Sequence, residues 1–381
     1  MRIVHIDLSG TFNEEMTYQE NLIAKYNVLD NNMVLVITTC YRWNEDGKIE
    51  KAKNSDYITK EGYRVIRLKY KKLINSLITE KIRDIDAQQL KIILNEFRPD
   101  IIVLHCFQTY AIRYISDYAR INNIKFVIDT HTNFENSAKN VFSYYILHKI
   151  IYKQWLEKSY DSIYRIYYIG YMEKDFIRKV YNIGEEKLEY LPLGGEILES
   201  NEKNKIRAAV RRKENIKDQE VLFVIAGKFD KKKRLFDVLR VFLKIPIEAK
   251  LLIVGAIEEE IKEEINRAIK LDPRVKYVGF KEGKELEEIL NAADIYMQPF
   301  NLSAIAQNAL CAGCALILKE CSTYKDMIVD NGYLVTNEND LEKAISKIAK
   351  DKGCLENMKQ QSILLAKNKY DYSIIARKII S

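Results

Sequence analysis

At 381 residues the chain is too long for one ordinary core and has the length of two domains of about 150–200 residues each. Its 47% hydrophobic and 30% charged residues exclude a disordered or fibrous chain, and no apolar run reaches the ~18 residues that a spanning helix requires. The net charge of +7 is modest beside 54 acids and comes with no nucleic-acid motif, so nucleic acid is not an expected partner.

The opening MRIVHIDLSG reads as a strand and not as a secretory leader, which gives the expectation of a cytoplasmic protein. Strands are predicted at residues 2–7, 33–39, 63–68, 100–106, 125–131 and 162–170, with helix-length segments between them. Gly10 and Thr11 follow the first strand, and Thr17 to Glu20 has the spacing of a capping box opening the next helix. His105 ends the fourth strand and His131 the fifth, in DTHTNFEN. Histidines at neighbouring strand ends are either satisfied structural groups or catalytic ones, and both readings stand here.

Two stretches of the first half are basic and aromatic: residues 64–73 (RVIRLKYKKL) and 141–160, which carries Lys149, Lys153, Lys158, Trp155 and several tyrosines at helical spacing. The second is either a helix lying on an anionic membrane surface or a buried helix with a solvated lysine edge. After LPLGGE (191–196) a charged stretch reads as a linker with a surface helix.

A second series of strands is predicted at 221–227, 250–255, 275–280, 294–300 and 314–319, with a helix at 284–293. The β-α-β-α order, given twice, predicts two parallel sheets covered on both faces. Such sheets take ligands at the carboxyl ends of their strands. The first strand of this series runs into KFDKKKRL, where Lys228 and Lys233 lie across a turn. They either neutralise a pyrophosphate or belong to a solvated charge run. Later, PFNLSAIAQNALCAGCALIL breaks at Pro299 and restarts as a helix, with Ser303 as the expected N-cap and the N–H groups of Ala304, Ile305 and Ala306 as expected free donors for phosphate. Cys311 and Cys314 form a CxxC without a second ligand pair, so they read as packing at a helix end rather than a zinc site.

With these segments in place, the chain resembles the GT-B glycosyltransferases of family 4, which move sugars from nucleotide donors with retention of configuration. The resemblance rests on GKFDKKKRLFDVL, KLLIVG, VKYVGF, NAADIYMQPF, ALCAGCALIL and DNGYLV in the second half, and on MTYQENLIAKY, FRPDIIVLH and DTHTNFENS in the first. The latter are similar to a bacterial branch associated with capsule and surface polysaccharide synthesis. The resemblance implies a GT-B fold of two Rossmann-like α/β domains facing across a cleft. It divides the chain into an acceptor-side domain at 1–200, a donor domain at 201–365 and a C-terminal helix at 366–381 crossing back.

The resemblance also implies roles. Lys228, where Arg is more usual, and Lys233 match the basic pair at the donor phosphates, and His131 matches the histidine near the reacting sugar, so His131 and Lys233 are the expected catalytic residues. Gly10, Gly194, Phe280, Phe300, Ser303, Ala304, Ile305, Gln307 and Asn308 join the lysines as expected donor-binding residues. The implied donor is a UDP- or GDP-sugar, with no obligatory cofactor and no metal, since no Asp-x-Asp motif is placed to hold one. The implied acceptor is a glycan, a lipid-linked molecule or a protein, with possible contact to the inner face of an anionic membrane. One departure is clear. The family's two glutamates fall at Phe300 and Asn308, or at Gln307 in another register, and none of these is acidic. This is compatible with a changed donor sugar or with a non-catalytic subunit that binds a sugar nucleotide or a partner transferase.

Overall fold

The computed structural model describes residues 1–14, 16–44, 48–71, 84–281 and 283–381. Lys72 and Leu73 of the first basic stretch lie outside the described residues. The chain divides into two compact units: unit 1 is Met1–Pro192 with Tyr372–Ser381, and unit 2 is Leu193–Asp371.

Unit 1 is built on an eight-stranded sheet. Its strands are β1 (Arg2–Asp7), β2 (Met33–Thr39), β3 (Asp56–Ile58), β4 (Arg64–Leu68), β5 (Ile101–His105), β6 (Lys125–Thr130), β7 (Arg165–Tyr168) and β8 (Leu188–Tyr190). They lie in the order β8-β7-β6-β5-β1-β2-β4-β3, all parallel except the β3 edge, so the strand order reverses between β1 and β5. One face packs Ile6, Ile102, Leu104 and Ile128 under the helices Ala87–Phe97, Ile112–Ile121 and Lys153–Ser159. The other face packs Ile3, Val103 and Val127 under the helix Gln19–Leu29 and the C-terminal helix Tyr372–Ile380. Because side chains alternate along a strand, His5 and Asp7 fall on the same face as Ile3, and His105 on the same face as Val103.

Unit 2 holds a six-stranded parallel sheet. Its strands are β9 (Val221–Ala226), β10 (Ala249–Val254), β11 (Val275–Tyr277), β12 (Ile295–Gln298), β13 (Ala315–Lys319) and β14 (Gly332–Val335). The order β11-β10-β9-β12-β13-β14 is doubly wound, with the reversal between β9 and β12. Every residue of β9 is buried, Phe223 and Ile225 in one layer and Leu222, Val224 and Ala226 in the other. That is why this strand reads as a continuous apolar run without alternation.

Each predicted strand segment overlaps an observed strand: 2–7 and 33–39 keep their bounds, 250–255 shifts to Ala249–Val254, 162–170 shortens to Arg165–Tyr168 and 275–280 to Val275–Tyr277. The expected capping box does not form. The helix begins at Gln19, its N-cap is Tyr18, and no side chain caps it, which leaves Thr17 one position too early. Glu20 instead lies in the first turn, where the helix dipole favours a negative charge. Among the described residues no helix is long and apolar enough to cross a membrane.

Candidate functional site

In unit 2 three neighbouring strands end in glycines with positive φ: Gly227 after β9 (147°), Gly255 after β10 (132°) and Gly279 after β11 (79°). A Cβ on Gly255 would meet the Gly227 carbonyl oxygen at 1.9 Å, so the two backbones approach as only glycine allows. Three further bonds knit these strand ends together. Gly227 N–H donates to the Val254 carbonyl (2.9 Å), Gly255 N–H to the Gly279 carbonyl (2.8 Å), and the Tyr277 hydroxyl to the Gly255 carbonyl (2.8 Å). The result is a rim at the carboxyl end of the sheet, beside the switch point. Phe280, directly after Gly279, stands 63% exposed.

The two lysines predicted for phosphate differ in their surroundings. Lys228 is mostly exposed and pairs with Glu258 at 3.0 Å. Lys233 is half-buried, and among the described residues its ammonium has no hydrogen bond or ion pair; its Nζ lies 3.0 Å from where a Cβ on Gly227 would sit. Desolvation lowers its pKa, and the charge of Asp230 opposes that. Asp230 also fixes the turn, its Oδ1 accepting from the Lys233 N–H at 2.9 Å. A partly desolvated cation with no ion pair among the described residues, beside a backbone with no side chain, is suited to an anion.

At the restart after β12, the helix is Ile305–Cys311 and starts later than expected. Ser303 still acts on the first turn, but its Oγ accepts from the Ile305 N–H (3.3 Å) and its carbonyl from the Ala306 N–H (3.3 Å). Of the three expected free donors only Ala304 N–H lacks a partner among the described residues, because the serine folds back on its own turn. Ser303 is itself held by Tyr324, whose hydroxyl accepts from the Ser303 N–H at 2.6 Å.

The positions of the missing acids are now concrete. The Phe300 ring is 9% exposed and lies under the Arg234 guanidinium, 4.2 Å from ring centre to charge. Arg234 is also bonded to Asp237, at 2.6 Å. Gln307 is buried, and its Oε1 has no partner among the described residues, whereas Asn308 is partly exposed. Gly194 is buried; its neighbour Gly195 makes the close approach, since a Cβ there would meet Cys311 Cβ at 2.9 Å and Asn308 Cα at 3.0 Å. Cys311 and Cys314 are buried apart, with their thiols on the carbonyls of Tyr370 and Leu290.

Sequence reasoning missed what anchors this unit. Asp294, just before β12, is buried and binds Arg207 (2.8 Å), Arg211 (3.3 Å), Lys359 (3.2 Å) and the Leu222 N–H (2.9 Å). The helix Ser200–Glu214, expected on the surface, is thereby locked to the sheet. Basic residues four apart in an otherwise polar run were the available signal, but they read equally as solvated charge.

In unit 1 the register sets His105 opposite both Asp7 and Asp129. His105 Nδ1 lies 2.6 Å from Asp129 Oδ2, and His105 Nε2 lies 3.0 Å from His5 Nδ1. His5 Nε2 in turn meets Asn27 Oδ1 at 2.9 Å. Asp129 Oδ1 accepts from the Cys106 N–H (3.3 Å) and lies 3.8 Å from His131 Nε2. His131 has a side chain 31% exposed, whereas His5, His105 and Asp129 are buried. Burial disfavours its charged form, but the Asp129 carboxylate outweighs that and raises its pKa. Asp7 is pushed up to about 6, first by burial and then by Glu20. A Cβ on Gly10 would lie 3.9 Å from both Asp7 carboxylate oxygens, so Gly10 places the backbone beside that buried carboxylate.

His131 also borders a cavity of about 420 Å³ whose wall includes Ser9, Gln108, Asn136, Ser137 and His148. Its wall is rich in hydroxyl and amide groups, the chemistry that binds polyols. Burial lowers the His148 pKa to about 4, leaving a neutral ring between Ser137 (2.9 Å) and the Tyr181 hydroxyl (2.5 Å). The far side of this wall is the basic, aromatic helix, a π-helical segment Phe142–Tyr152 continuing into Lys153–Ser159. Phe142, Tyr145, Ile146 and Ile150 are exposed on it, with Lys149 over the rings of Tyr144 and Tyr145. Trp155 is not on that surface, because it is buried against Tyr110 and Tyr152.

Residues 206–364 match the family model described as glycosyl transferases group 1. Among curated proteins none matches the chain in sequence. In fold the whole chain is similar to the sucrose-phosphate synthase of Thermosynechococcus elongatus, at 14% identity and a TM-score of 0.68 over 100% of this chain and 97% of that one. It is similar to HepE of Anabaena in complex with UDP, at 13% identity and a TM-score of 0.63 over 100% and 98% of the two chains. WaaG, a glycosyltransferase involved in lipopolysaccharide biosynthesis, aligns at 15% identity and a TM-score of 0.60 over 99% and 98%. The fold is GT-B, with two Rossmann-like α/β units.

Proposed function

From the premise that this is a chain of GT-B fold with a glycosyl transferases group 1 match at residues 206–364, we propose that it is a retaining glycosyltransferase. It transfers a sugar from a UDP- or GDP-sugar to a glycan, lipid-linked or protein acceptor in surface polysaccharide or glycoconjugate synthesis. The observation that carries this reading is Lys233, a half-buried ammonium with no ion pair among the described residues, beside Gly227 at the switch point of unit 2. HepE, a structural neighbour, was crystallised with UDP and with UDP-glucose, which supports a nucleotide-sugar donor here.

In unit 2, Lys233, Lys228 and the Ala304 N–H are assigned to the donor phosphates, and the exposed Phe280 ring to the base. Gln307 and Asn308 are assigned to ribose and sugar hydroxyls, and Phe300 to the apolar side of the sugar. Gly195, next to the expected Gly194, keeps the chain close to this region. In unit 1, His131 is assigned to the transfer step, Gly10 to the donor and the polar cavity beside His131 to the acceptor. As the bond between the anomeric carbon and the phosphate oxygen breaks, negative charge grows on the phosphate, and Lys233 stabilises it. The acceptor oxygen bonds to the anomeric carbon on the same face, and its proton passes to the departing phosphate. The charge on Lys233 lets this proceed without an obligatory metal. The Asp-x-Asp of the chain supports this: Asp84 binds the Tyr114 hydroxyl, and Asp86 caps the helix that follows it.

The exposed Phe142, Tyr145, Ile146 and Ile150 beside Lys149 support contact with an anionic membrane at its inner face. A second reading, a subunit that binds a sugar nucleotide without turning it over, draws on Phe300 and Asn308 in place of the acids. Thermal shift against UDP, GDP, ADP and their sugar conjugates, followed by a transfer assay with the ligand that binds, separates the two. Binding with transfer supports the enzyme, binding without transfer supports the subunit, and no binding removes both.

A further inference from the structure

Of the four histidines of the chain, His105 and His131 flank Asp129 and His5 bonds to His105, and the hydrogen-bond directions along this array can be derived group by group. The array starts at the C-terminal helix. The Asn27 amide nitrogen donates to the Ala376 carbonyl at 3.0 Å, which turns the amide oxygen toward His5. An amide oxygen only accepts, so His5 Nε2, at 2.9 Å, carries a hydrogen. The His5 and His105 rings lie edge to edge and nearly coplanar, 12° apart with centroids at 5.3 Å, and both are almost fully buried, so the pair holds at most one positive charge.

That charge belongs on the ring beside the carboxylate. Asp129 is fully buried and its Oδ2 lies 2.6 Å from His105 Nδ1, which therefore donates. His5, neutral with its hydrogen on Nε2, offers a bare Nδ1 to His105 at 3.0 Å, so His105 Nε2 donates as well. With both nitrogens donating, His105 is an imidazolium. The other titratable groups around it are Asp7 and His5 on β1, Glu20 on the helix Gln19–Leu29, Cys106 after β5 and His131 after β6. The C-terminal helix presents a carbonyl, that of Ala376, to this array.

We propose that His105 is a positioning residue: locked as an imidazolium by the array that runs from Ala376 through Asn27 and His5, it holds Asp129 as a carboxylate whose second oxygen orients and charges His131. His105 lies beneath the surface and touches no substrate; it acts through Asp129. The C-terminal helix is thereby part of the site, because its carbonyl sets the direction of every bond that follows. The catalytic consequence rests on the transferase reading, whereas the protonation states do not.

The experiment uses the full-length protein labelled with ¹⁵N-histidine. Long-range ¹H–¹⁵N spectra are recorded from pH 6 to 9, with the four rings assigned by single His→Gln variants. The expected result is a His105 with two protonated nitrogens that does not titrate between pH 6 and 8, and a neutral His5 with its hydrogen on Nε2. A His105 that titrates as an ordinary histidine, or a positive charge on His5, overturns the proposal. In Asn27→Leu, His5 is free to change tautomer, and His105 starts to titrate in this range. With the donor identified by thermal shift, Asn27→Leu lowers kcat about tenfold at pH 8, below the 10²–10⁴ typical of losing an acid–base group. The donor KM stays the same, and kcat recovers toward pH 6. An unchanged pH profile overturns the link to His131. If no sugar nucleotide is turned over by the wild type, the transferase reading fails while the wild-type spectra still decide the array.

Discussion

Lys233 reaches back over its own turn to Gly227, its Nζ 3.0 Å from the point a Cβ on that glycine would occupy. The ammonium thus sits against a backbone surface that only glycine leaves open. Lys233→Ala should weaken nucleotide binding about 10- to 100-fold, from the loss of one charge-assisted contact of about 1.5–3 kcal/mol. Calorimetric titration with the nucleotide that stabilises the wild type measures this. Lys228→Ala, which removes an exposed lysine already paired with Glu258, should change the constant less than threefold.

Gly255→Ala places a methyl group 1.9 Å from the Gly227 carbonyl oxygen at φ 132°, and backbone cannot yield as a side chain would. It should destabilise unit 2 by about 2–4 kcal/mol. Gly279→Ala, with φ 79° and no atom within 4 Å, should cost only the backbone strain of about 1 kcal/mol. Urea unfolding of both variants gives the comparison, and equal losses would contradict the close-approach argument.

Asp294→Ala leaves the nearly buried Arg211 without its carboxylate and should cost about 3–5 kcal/mol. Burial opposes ionisation of Asp294, but Arg207 and Lys359 prevail and its pKa is lowered. Its contribution is therefore present above the ordinary value of 3.8 and is lost as pH falls through the lowered folded-state value. Wild type and variant should converge in stability only in strong acid.

Asp7 has the opposite sign. Its pKa rises from 3.8 to about 6, so the folded state favours the protonated form, and stability is lost as pH rises through that interval. Asp7→Asn should match the wild type near pH 4 and be more stable by about 1–3 kcal/mol above pH 6. Denaturant midpoints at several pH values measure the difference, and an Asn variant less stable at pH 7.5 would contradict the assignment.

Asn308 and Gln307 are the two registers for the later acid. Because Asn308 is partly exposed and Gln307 buried, Asn308→Glu should tighten nucleotide binding about tenfold if the ribose lies there. Gln307→Glu instead buries a charge and should destabilise the fold by about 2 kcal/mol or more. Titration and thermal unfolding of the pair decide between the registers.

The fold was legible because its signals are local. A continuous apolar run such as VLFVIA and the recurrence of strand-length and helix-length segments dictate two parallel α/β sheets whatever else the chain does. The lysine turn was likewise visible, since its residues are neighbours in sequence. The short strands Tyr41–Trp43, Ile49–Lys51 and Asp56–Ile58 were not, because three residues give no periodicity to read.

What only the tertiary structure decided depends on register and on side chains far apart in sequence. His5, His105 and Asp129 are about a hundred or more residues from the first to the others, and only the β1–β5–β6 pairing sets them side by side. The same holds for Asn27 and Ala376, and for Asp294 with Arg207 and Lys359. Local sequence fixes which face a side chain takes along its own strand. The identity of the group across from it depends on which strands become neighbours, and packing of the whole unit settles that.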